Sequence, residues 1–252
     1  MTLKKSYYFA FGCLLFIIFF WPGMMSPDSI TQLNQAKTGV LSTHHPIFMT
    51  LLWSGLIKLY PGSGLLFALH TLLLWISVVL FSKSFTLKRW WLFGLVPLWP
   101  IVFAYTQLIW KDVSFSHAFL LAIALLTWHA YHNKRPQWFS VLIIGILLFY
   151  GIGTKFQAVF CVPPLLMWLM KLLQPRLCLF KAFIVSLILS YGLYMAYGKI
   201  ETIVVPQKQQ SHSWQMARLY DLAGMSVDTN QPLFPDYILK NPFFSMEALR
   251  AG

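Results

Sequence analysis

Charged residues are scarce in this chain. Asp, Glu, Lys and Arg together supply 10% of its 252 residues, and only seven of them are acidic. A soluble domain of this length needs many more charged residues to cover its folded surface, so the composition excludes an ordinary soluble protein. Apolar residues are abundant instead: they make up 58% of the chain, which has a mean hydropathy of +0.65. Their recurrence in long runs predicts an integral membrane protein.

Cysteine is also rare, with three residues. Cys13 and Cys161 fall inside apolar runs and Cys178 falls in a basic segment, so no spacing typical of a disulfide framework or a metal site is present. Cysteine chemistry therefore gives no indication of the function.

The formal net charge of +12 is carried by short basic clusters that lie between the apolar runs. Such clusters are typical of loops held on the cytoplasmic side of a membrane. The expected partner is therefore the lipid bilayer, and nucleic acid is not expected to bind. Lys4 and Lys5 precede the first apolar run, and no small-residue cleavage site stands before Ser26, which predicts an uncleaved signal anchor.

Seven apolar runs are long enough to be interpreted as membrane spans. They lie near residues 7–25, 64–82, 90–108, 113–131, 138–154, 157–173 and 181–198. A further run, 46–60, would rise only about 22 Å as a helix, whereas the hydrocarbon core is roughly 30 Å thick. Thr50, Ser54 and Lys58 are spaced four apart in this run and predict a polar stripe on one helical face. We therefore predict that residues 46–60 form an amphipathic helix at the interface.

The distribution of charge supports that topology. With the N-terminus in the cytoplasm and residues 46–60 outside the bilayer, the basic clusters fall inside. If residues 46–60 crossed the membrane, every later loop would invert, against the positive-inside bias. All acidic residues fall outside in this topology: Asp28, Asp112, Glu201, Asp221, Asp228, Asp236 and Glu247. The basic face and the lack of glycosylation signals favour a bacterial inner membrane, with the C-terminal tail in the periplasm.

The predicted fold class is therefore all-α. We expect a polytopic membrane protein with about seven transmembrane helices and two surface helices, 27–39 and 46–60, in the first outside loop. These elements form a module of residues 1–198, and residues 199–252 form an extracytoplasmic tail.

Two acidic residues stand out, because Asp28 and Asp112 are the only ones in the predicted membrane module. Ser26 is a good N-cap and Gly39 can end a helix in the left-handed conformation, so the two residues delimit a predicted helix. Asp28 then lies in the first turn of that helix. A helix N-terminus favours a negative charge there by ~0.3–1 kcal/mol. Asp112 opens the fourth predicted span directly after Lys111. Both can be ordinary interfacial caps, but their common side makes them candidate functional residues.

Three short stretches resemble a known superfamily. WPGMMSPDSITQLNQAKTG at 21–39 and STHHPIFMTLLW at 42–53 resemble the start of the GT-C membrane glycosyltransferases, which include lipid-A aminoarabinose transferases and protein mannosyltransferases. In that superfamily an Asp follows the first span, two surface helices follow it, and a second acidic residue typically starts the fourth span. WKDVSFSHAFLL supplies Asp112 at that place. The resemblance covers roughly residues 15–131 by motif and 1–200 by architecture.

This resemblance implies transfer of a sugar from a polyprenyl-phosphate donor to an acceptor on the extracytoplasmic face. Asp28 would take the proton from the acceptor hydroxyl. Asp112 would orient the acceptor, hold Lys111 or, with Asp28, bind a divalent metal such as Mg²⁺ or Mn²⁺. The leaving phosphate needs cationic or hydrogen-bonding partners, because negative charge develops on it. The outside candidates for that role are Lys111, Lys155, His44, His45 and Lys58.

Two other functions stay open at this point. In the aminoarabinose enzymes an Arg follows the loop Asp closely, but here Ser29, Ile30 and Thr31 follow Asp28. Many superfamily members also continue with further spans and a soluble domain, so a truncated or non-catalytic membrane protein is one alternative. The other is a transporter or flippase of a lipid-linked sugar, since prolines interrupt the apolar runs at Pro97, Pro100, Pro163 and Pro164.

Overall fold

The computed structural model describes residues 3–42, 45–85, 90–205, 213–240 and 245–251, and the chain divides into two compact units, Met1–Gln207 and Lys208–Gly252. Both units are built mainly from helices. The first contains α1 Leu3–Phe20, β1 Met24–Met25, α2 Pro27–Thr38, α3 Phe48–Leu56, α4 Gly64–Ser84, a 3-10 helix Trp90–Leu98, α5 Pro100–Thr106, β2 Leu108–Ile109, α6 Lys111–Tyr131, α7 Trp138–Ile152, a 3-10 helix Phe156–Phe160, α8 Val162–Leu173 and α9 Leu179–Val204. The second contains α10 Ser213–Thr229, α11 Asp236–Leu239 and α12 Met246–Ala251.

Within the described residues, four helical segments are long and apolar enough to cross a membrane. They are Gly64–Ser84, Lys111–Tyr131, Phe156–Leu173 and Leu179–Val204. Tyr7–Phe20 and Trp138–Ile152 are shorter apolar helices. The four long segments coincide with four of the predicted spans, and they indicate a membrane protein.

The predicted span at 90–108 is not one continuous helix. A 3-10 helix ends at Leu98, Trp99 is extended (φ −60°, ψ 130°), and α5 then begins at Pro100. Proline disfavours the helical conformation in the residue before it, which explains the break at Trp99. The proline ring itself is well tolerated at the first position of α5.

Two further helix boundaries differ from those expected. α1 ends at Phe20 rather than near residue 25, because Pro22 cannot donate a helical hydrogen bond and Gly23 has a left-handed φ of 87°. α9 continues to Val204, past the boundary predicted at residue 198. Hydropathy falls there, but the backbone hydrogen bonds of a helix do not depend on apolar side chains.

α2 has the ends that the sequence predicts. Ser26 caps its N-terminus and Pro27 occupies the first turn. Gly39 ends it with a φ of 72°, its N–H donating to the carbonyl of Gln35. A helix, Pro27–Thr38, is therefore present where the sequence predicts one at 27–39.

α3 is shorter than predicted and lacks the expected polar stripe. Its nine residues, Phe48–Leu56, rise about 13 Å, less than half of the hydrocarbon thickness. Thr50 is buried, whereas Lys58 lies beyond the end of the helix and is exposed. The stripe fails because α3 packs against α2 and α4 through the face that carries Met49, Thr50 and Trp53.

Two apolar clusters hold the first unit together around the segments that carry the candidate residues. One cluster joins α1, α2, α3, α4 and β2, and its buried members include Phe16, Leu33, Trp53 and Ile109. The other joins α6, α7, α8 and α9. α9 also presents large apolar side chains to the outside, among them Ile188 and Tyr191. Such a surface is typical of contact with lipid.

In the second unit, α10 is the longest helix, with 17 residues. Its Ser226 is buried, donates to the carbonyl of Leu222 at 2.6 Å and accepts from the N–H of Leu233 at 2.9 Å. These bonds connect α10 to the segment that follows it.

Candidate functional site

Two short strands bring the beginnings of α2 and α6 together. β1 and β2 run parallel, with Met24 opposite Leu108. Asp28 follows Met24 by four residues, and Asp112 follows Leu108 by four residues. Each aspartate is the second residue of the helix that comes after its strand. The pairing therefore places the first turns of the two helices side by side.

The first turn of α2 is fixed against β2. The side chains of Ser26 and Ser29 form a reciprocal capping box, with each hydroxyl accepting from the other residue's backbone N–H at 3.3 Å. Ser29 is fully buried, and its hydroxyl also donates to the carbonyl of Ile109. Asp28, the neighbour of Ser29, is thereby held close to the start of α6.

Asp28 lies next to two nitrogen-bearing side chains. Its Oδ2 is 3.4 Å from Nζ of Lys111, and its Oδ1 is 3.8 Å from Nε2 of His45. Nζ of Lys111 is also 3.0 Å from Nδ1 of His45. An ammonium group has only donors, so Nδ1 accepts, and the proton of the neutral imidazole then lies on Nε2, which faces Asp28. The Asp28 side chain is 43% exposed and can be reached by a ligand.

Asp112 is paired with Lys155. Nζ of Lys155 donates to Oδ1 of Asp112, and both side chains are about one-third exposed. Lys111 and Asp112 are consecutive residues in the first turn of α6, so both pairs lie at the same end of that helix. Asp28, His45, Lys111, Asp112 and Lys155 are named the aspartate–lysine cluster below.

The end of α7 positions Lys155. The backbone N–H of Lys155 donates to the carbonyl of Gly151 at 2.9 Å, and the N–H of Phe48 donates to the carbonyl of Gly153 at 2.9 Å. A Cβ on Gly153 would lie 2.2 Å from the Phe48 ring, so this approach requires glycine. The turn that carries Lys155 is therefore joined to the start of α3, just after the buried His45.

Five of the seven predicted site residues belong to the aspartate–lysine cluster, and two do not. Lys58 is exposed and makes no hydrogen bond or ion pair with any residue that the structure describes. This exposure fits the ordinary interpretation of Lys58 as an interfacial side chain. His44 lies outside the described residues, as do Lys88 and Arg89 of the predicted cytoplasmic clusters.

The cluster fits a divalent metal poorly. One oxygen of Asp28 and one of Asp112 lie against lysine ammonium groups. In the described part of the chain, no three His, Cys, Asp or Glu side chains converge. Mg²⁺ and Mn²⁺ prefer several oxygen ligands, so a metal here would have to displace both lysines and recruit further ligands.

Sequence reasoning missed one polar residue of this region and one contact. Gln32 lies one helical turn after Asp28, is 1% exposed, and its Nε2 has no hydrogen-bond partner in the described part of the chain. Its spacing of four from Asp28 could have revealed it, because residues four apart share a helix face. The pairing of Lys155 with Asp112 had no such signal, since it joins residues 43 positions apart.

Two apolar cavities lie near this region: Asp112 lines one of them, and Phe156, the residue after Lys155, lines the other. One, of about 500 Å³, is lined by Asp112 itself together with Val102, Tyr105 and other residues of α4, α5 and α6. The other, of about 730 Å³, begins at Phe156, the residue after Lys155, and is lined mainly by apolar side chains of α8 and α9. The second charge pair of the cluster thus stands beside space suited to apolar groups.

Comparison with known proteins does not assign the chain to a family. It matches no protein-family model, no curated protein and no solved structure. The function must therefore be argued from the cluster itself.

Proposed function

We propose that the chain is a membrane glycosyltransferase that moves a sugar from a polyprenyl-phosphate donor to an acceptor hydroxyl at the aspartate–lysine cluster. The observation that carries this proposal is the half-exposed carboxylate of Asp28, paired with the ammonium group of Lys111 at the same end of α6 as the Asp112–Lys155 pair. Glycosyl transfer from a phosphate uses both a base for the acceptor hydroxyl and cations for the leaving phosphate.

The reaction balances with the groups present. The acceptor oxygen forms a bond to the anomeric carbon of the sugar as the bond from that carbon to the phosphate oxygen breaks. The acceptor proton passes to Asp28 and then to solvent, and the polyprenyl phosphate leaves with the electron pair. General-base help of this kind contributes about 10²–10⁴-fold to the rate.

The lysines supply what the leaving phosphate requires. Nζ of Lys111 and of Lys155 each contact a carboxylate, so both ammonium groups are already placed at the cluster before a donor binds. A phosphate that enters can share their hydrogen bonds, which stabilises the negative charge that develops on it.

The apolar cavities support a lipid-linked donor. The cavity of about 730 Å³ starts at the residue after Lys155 and is lined by Phe160, Pro163, Phe183 and Tyr191 among others. Phe160 and Tyr191 are largely exposed, as expected of side chains that face lipid. A phosphate held at Lys155 would therefore have an apolar surface next to it for the first isoprene units.

The finer topology belongs to the same proposal. We infer seven crossings, with the N-terminus in the cytoplasm, the cluster on the outer face of a bacterial inner membrane, and a GT-C-like arrangement of the first unit. The short rise of α3 supports this topology, because the helix is too short to cross the bilayer. A crossing at α3 would also place the basic loops that follow it on the outer side, against the positive-inside bias.

Loss of transfer in Asp28→Asn tests the function. The full-length wild type and the variant are reconstituted in liposomes with a panel of radiolabelled polyprenyl-phosphate hexoses and pentoses, and labelled product and released polyprenyl phosphate are measured. We expect wild type to transfer at least one sugar and Asp28→Asn to be slower by about 10²–10⁴-fold. Asp228→Asn, which removes an exposed carboxylate from α10, should retain the wild-type rate. Equal rates in all three proteins would exclude Asp28 as the base.

A second candidate function is movement of a lipid-linked sugar across the bilayer without chemistry. It is favoured by the discontinuous segment formed by the 3-10 helix Trp90–Leu98 and α5, since broken helices are typical of transporter sites. In the same liposomes, labelled lipid would reach the opposite leaflet with no release of polyprenyl phosphate.

A further inference from the structure

A further cavity lies at the opposite end of α6 from the aspartate–lysine cluster. It has a volume of about 680 Å³ and is formed by the segment between α6 and α7 together with the segment between α8 and α9. α6 has 21 residues, which gives a rise of about 31 Å, close to the thickness of a bilayer core. The two sites thus stand roughly one membrane apart.

This cavity is strongly basic. Lys134, Arg135, Lys171 and Arg176 line it, and no Asp or Glu is among its lining residues. Four cations around one cavity repel each other unless an anion or solvent compensates them. The cavity is therefore suited to a ligand that carries more than one negative charge.

Some of the cations hold the walls of the cavity together. Arg135 donates from Nε to the carbonyl of Leu173, which joins the α6–α7 segment to the end of α8. Nζ of Lys171 donates to the carbonyls of Pro175 at 2.7 Å and Leu177 at 2.8 Å. These bonds do not use every N–H donor of either side chain, because an ammonium group has three donors and a guanidinium group has five.

The other two cations are available to a ligand. The side chains of Lys134 and Arg176 are exposed, and neither makes a hydrogen bond or ion pair within the described residues. Nζ of Lys134 lies 5.5 Å from the centre of the Trp128 ring, a contact that leaves its three N–H donors free.

The surroundings of the cavity point to lipid rather than to a soluble anion. α7 begins three residues after Arg135 with Trp138 and Phe139, which are 77% and 57% exposed. α9 begins three residues after Arg176 with Leu179 and Phe180, which are 61% and 71% exposed. Exposed aromatic and apolar side chains at the first turn of both helices place the cations where headgroups meet hydrocarbon.

We infer that this basic cavity binds the phosphate groups of an anionic phospholipid, with a two-phosphate headgroup such as that of cardiolipin fitting it best. Basic pockets between membrane helices on the cytoplasmic side are suited to such headgroups. This site is separate from the aspartate–lysine cluster, and it does not depend on the glycosyltransferase proposal.

Native mass spectrometry of the full-length protein in detergent tests the site, with tetraoleoyl cardiolipin and dioleoyl phosphatidylcholine as probes. The test variant is Lys134→Gln with Arg176→Gln, which removes two charges without touching the bonds that hold the cavity walls. Since each cation near an anionic lipid contributes a factor of about 5, this variant should bind cardiolipin about 30-fold more weakly. Phosphatidylcholine should bind weakly to every protein.

The matched control is Lys83→Gln with Lys181→Gln. It removes two exposed charges from the same predicted face, and neither residue lines the cavity. We expect its cardiolipin affinity to stay within about 3-fold of wild type, because neither side chain lines the cavity and solvent screens exposed charges. Equal losses in both double variants would overturn the site, and so would equal binding of cardiolipin by wild type and the test variant. Displacement of cardiolipin by millimolar inorganic phosphate would overturn the assignment to lipid in favour of a soluble anion.

Discussion

The strength of the Asp112–Lys155 pair can be predicted and measured apart from any activity. Exposed ion pairs contribute about 0–1 kcal/mol, whereas breaking a fully buried pair costs about 3–5 kcal/mol. Both side chains of this pair are near 30% exposed, so solvent screens them in part. We expect a coupling energy of about 1–2 kcal/mol between Asp112 and Lys155.

The Asp28–Lys111 pair supplies an internal comparison. Its nitrogen–oxygen distance is 3.4 Å, and Asp28 is 43% exposed. Lys111 also shares its donors with His45. The longer distance, the greater exposure and the shared donors all lower its coupling energy, which we expect at about 0.5 kcal/mol or less.

Double-mutant cycles measure both values. Asp112→Asn, Lys155→Gln and the double variant form one cycle, and Asp28→Asn, Lys111→Gln and their double variant form the other. The free energy of unfolding of each protein is obtained from equilibrium unfolding in mixed micelles of a mild detergent and sodium dodecyl sulfate. A coupling energy near zero for Asp112–Lys155 would refute the placement of Lys155 at the start of α6. A coupling energy for Asp28–Lys111 that exceeds the one for Asp112–Lys155 would refute it as well.

Two further predictions follow from local geometry. Ser29→Ala should lower the free energy of unfolding by about 1–3 kcal/mol, because it removes a buried hydroxyl that joins α2 to β2. The control is Thr31→Ala, which removes an exposed hydroxyl from the same helix. It should change the free energy of unfolding by less than about 0.5 kcal/mol in the same assay. Cys178 immediately precedes α9, and the backbone N–H groups of Lys181 and Phe180 hold the pKa of its exposed thiol below the usual value. The thiolate is the reactive form, so alkylation of Cys178 by iodoacetamide, followed by mass spectrometry from pH 6 upward, should reach half its maximum rate at a lower pH than alkylation of free cysteine. A half-maximum at or above that of free cysteine would contradict this effect of the helix start.

Features fixed by neighbouring residues could be predicted from the sequence. The ends of α2 follow from Ser26, Pro27 and Gly39, because a cap acts within one helical turn. The four long apolar segments follow from hydropathy alone, since a helix in lipid satisfies its own backbone hydrogen bonds.

Features that depend on distant contacts could not be predicted in this way. Thr50 was assigned to a polar face, but α3 packs that face against α2, so tertiary contacts override the local pattern. The strand pairing of Met24 with Leu108 joins segments far apart in the chain, and two-residue strands leave no periodic signal. Pro100 is a local signal for the helix break at Trp99, but the apolar run around it favours one continuous span.

In the proposed glycosyl transfer, the balance of charge in the aspartate–lysine cluster sets the order in which the substrates bind. Two carboxylates and two ammonium groups cancel when His45 is neutral, so an incoming phosphate adds uncompensated negative charge. The phosphate therefore attracts the lysines, whose side chains are flexible, and weakens their contacts with the carboxylates. Asp28, now less engaged by Lys111, can accept the hydrogen bond of an acceptor hydroxyl instead. In this scheme the donor has to bind before Asp28 can engage the acceptor, and the energy that releases Asp28 comes from phosphate binding itself.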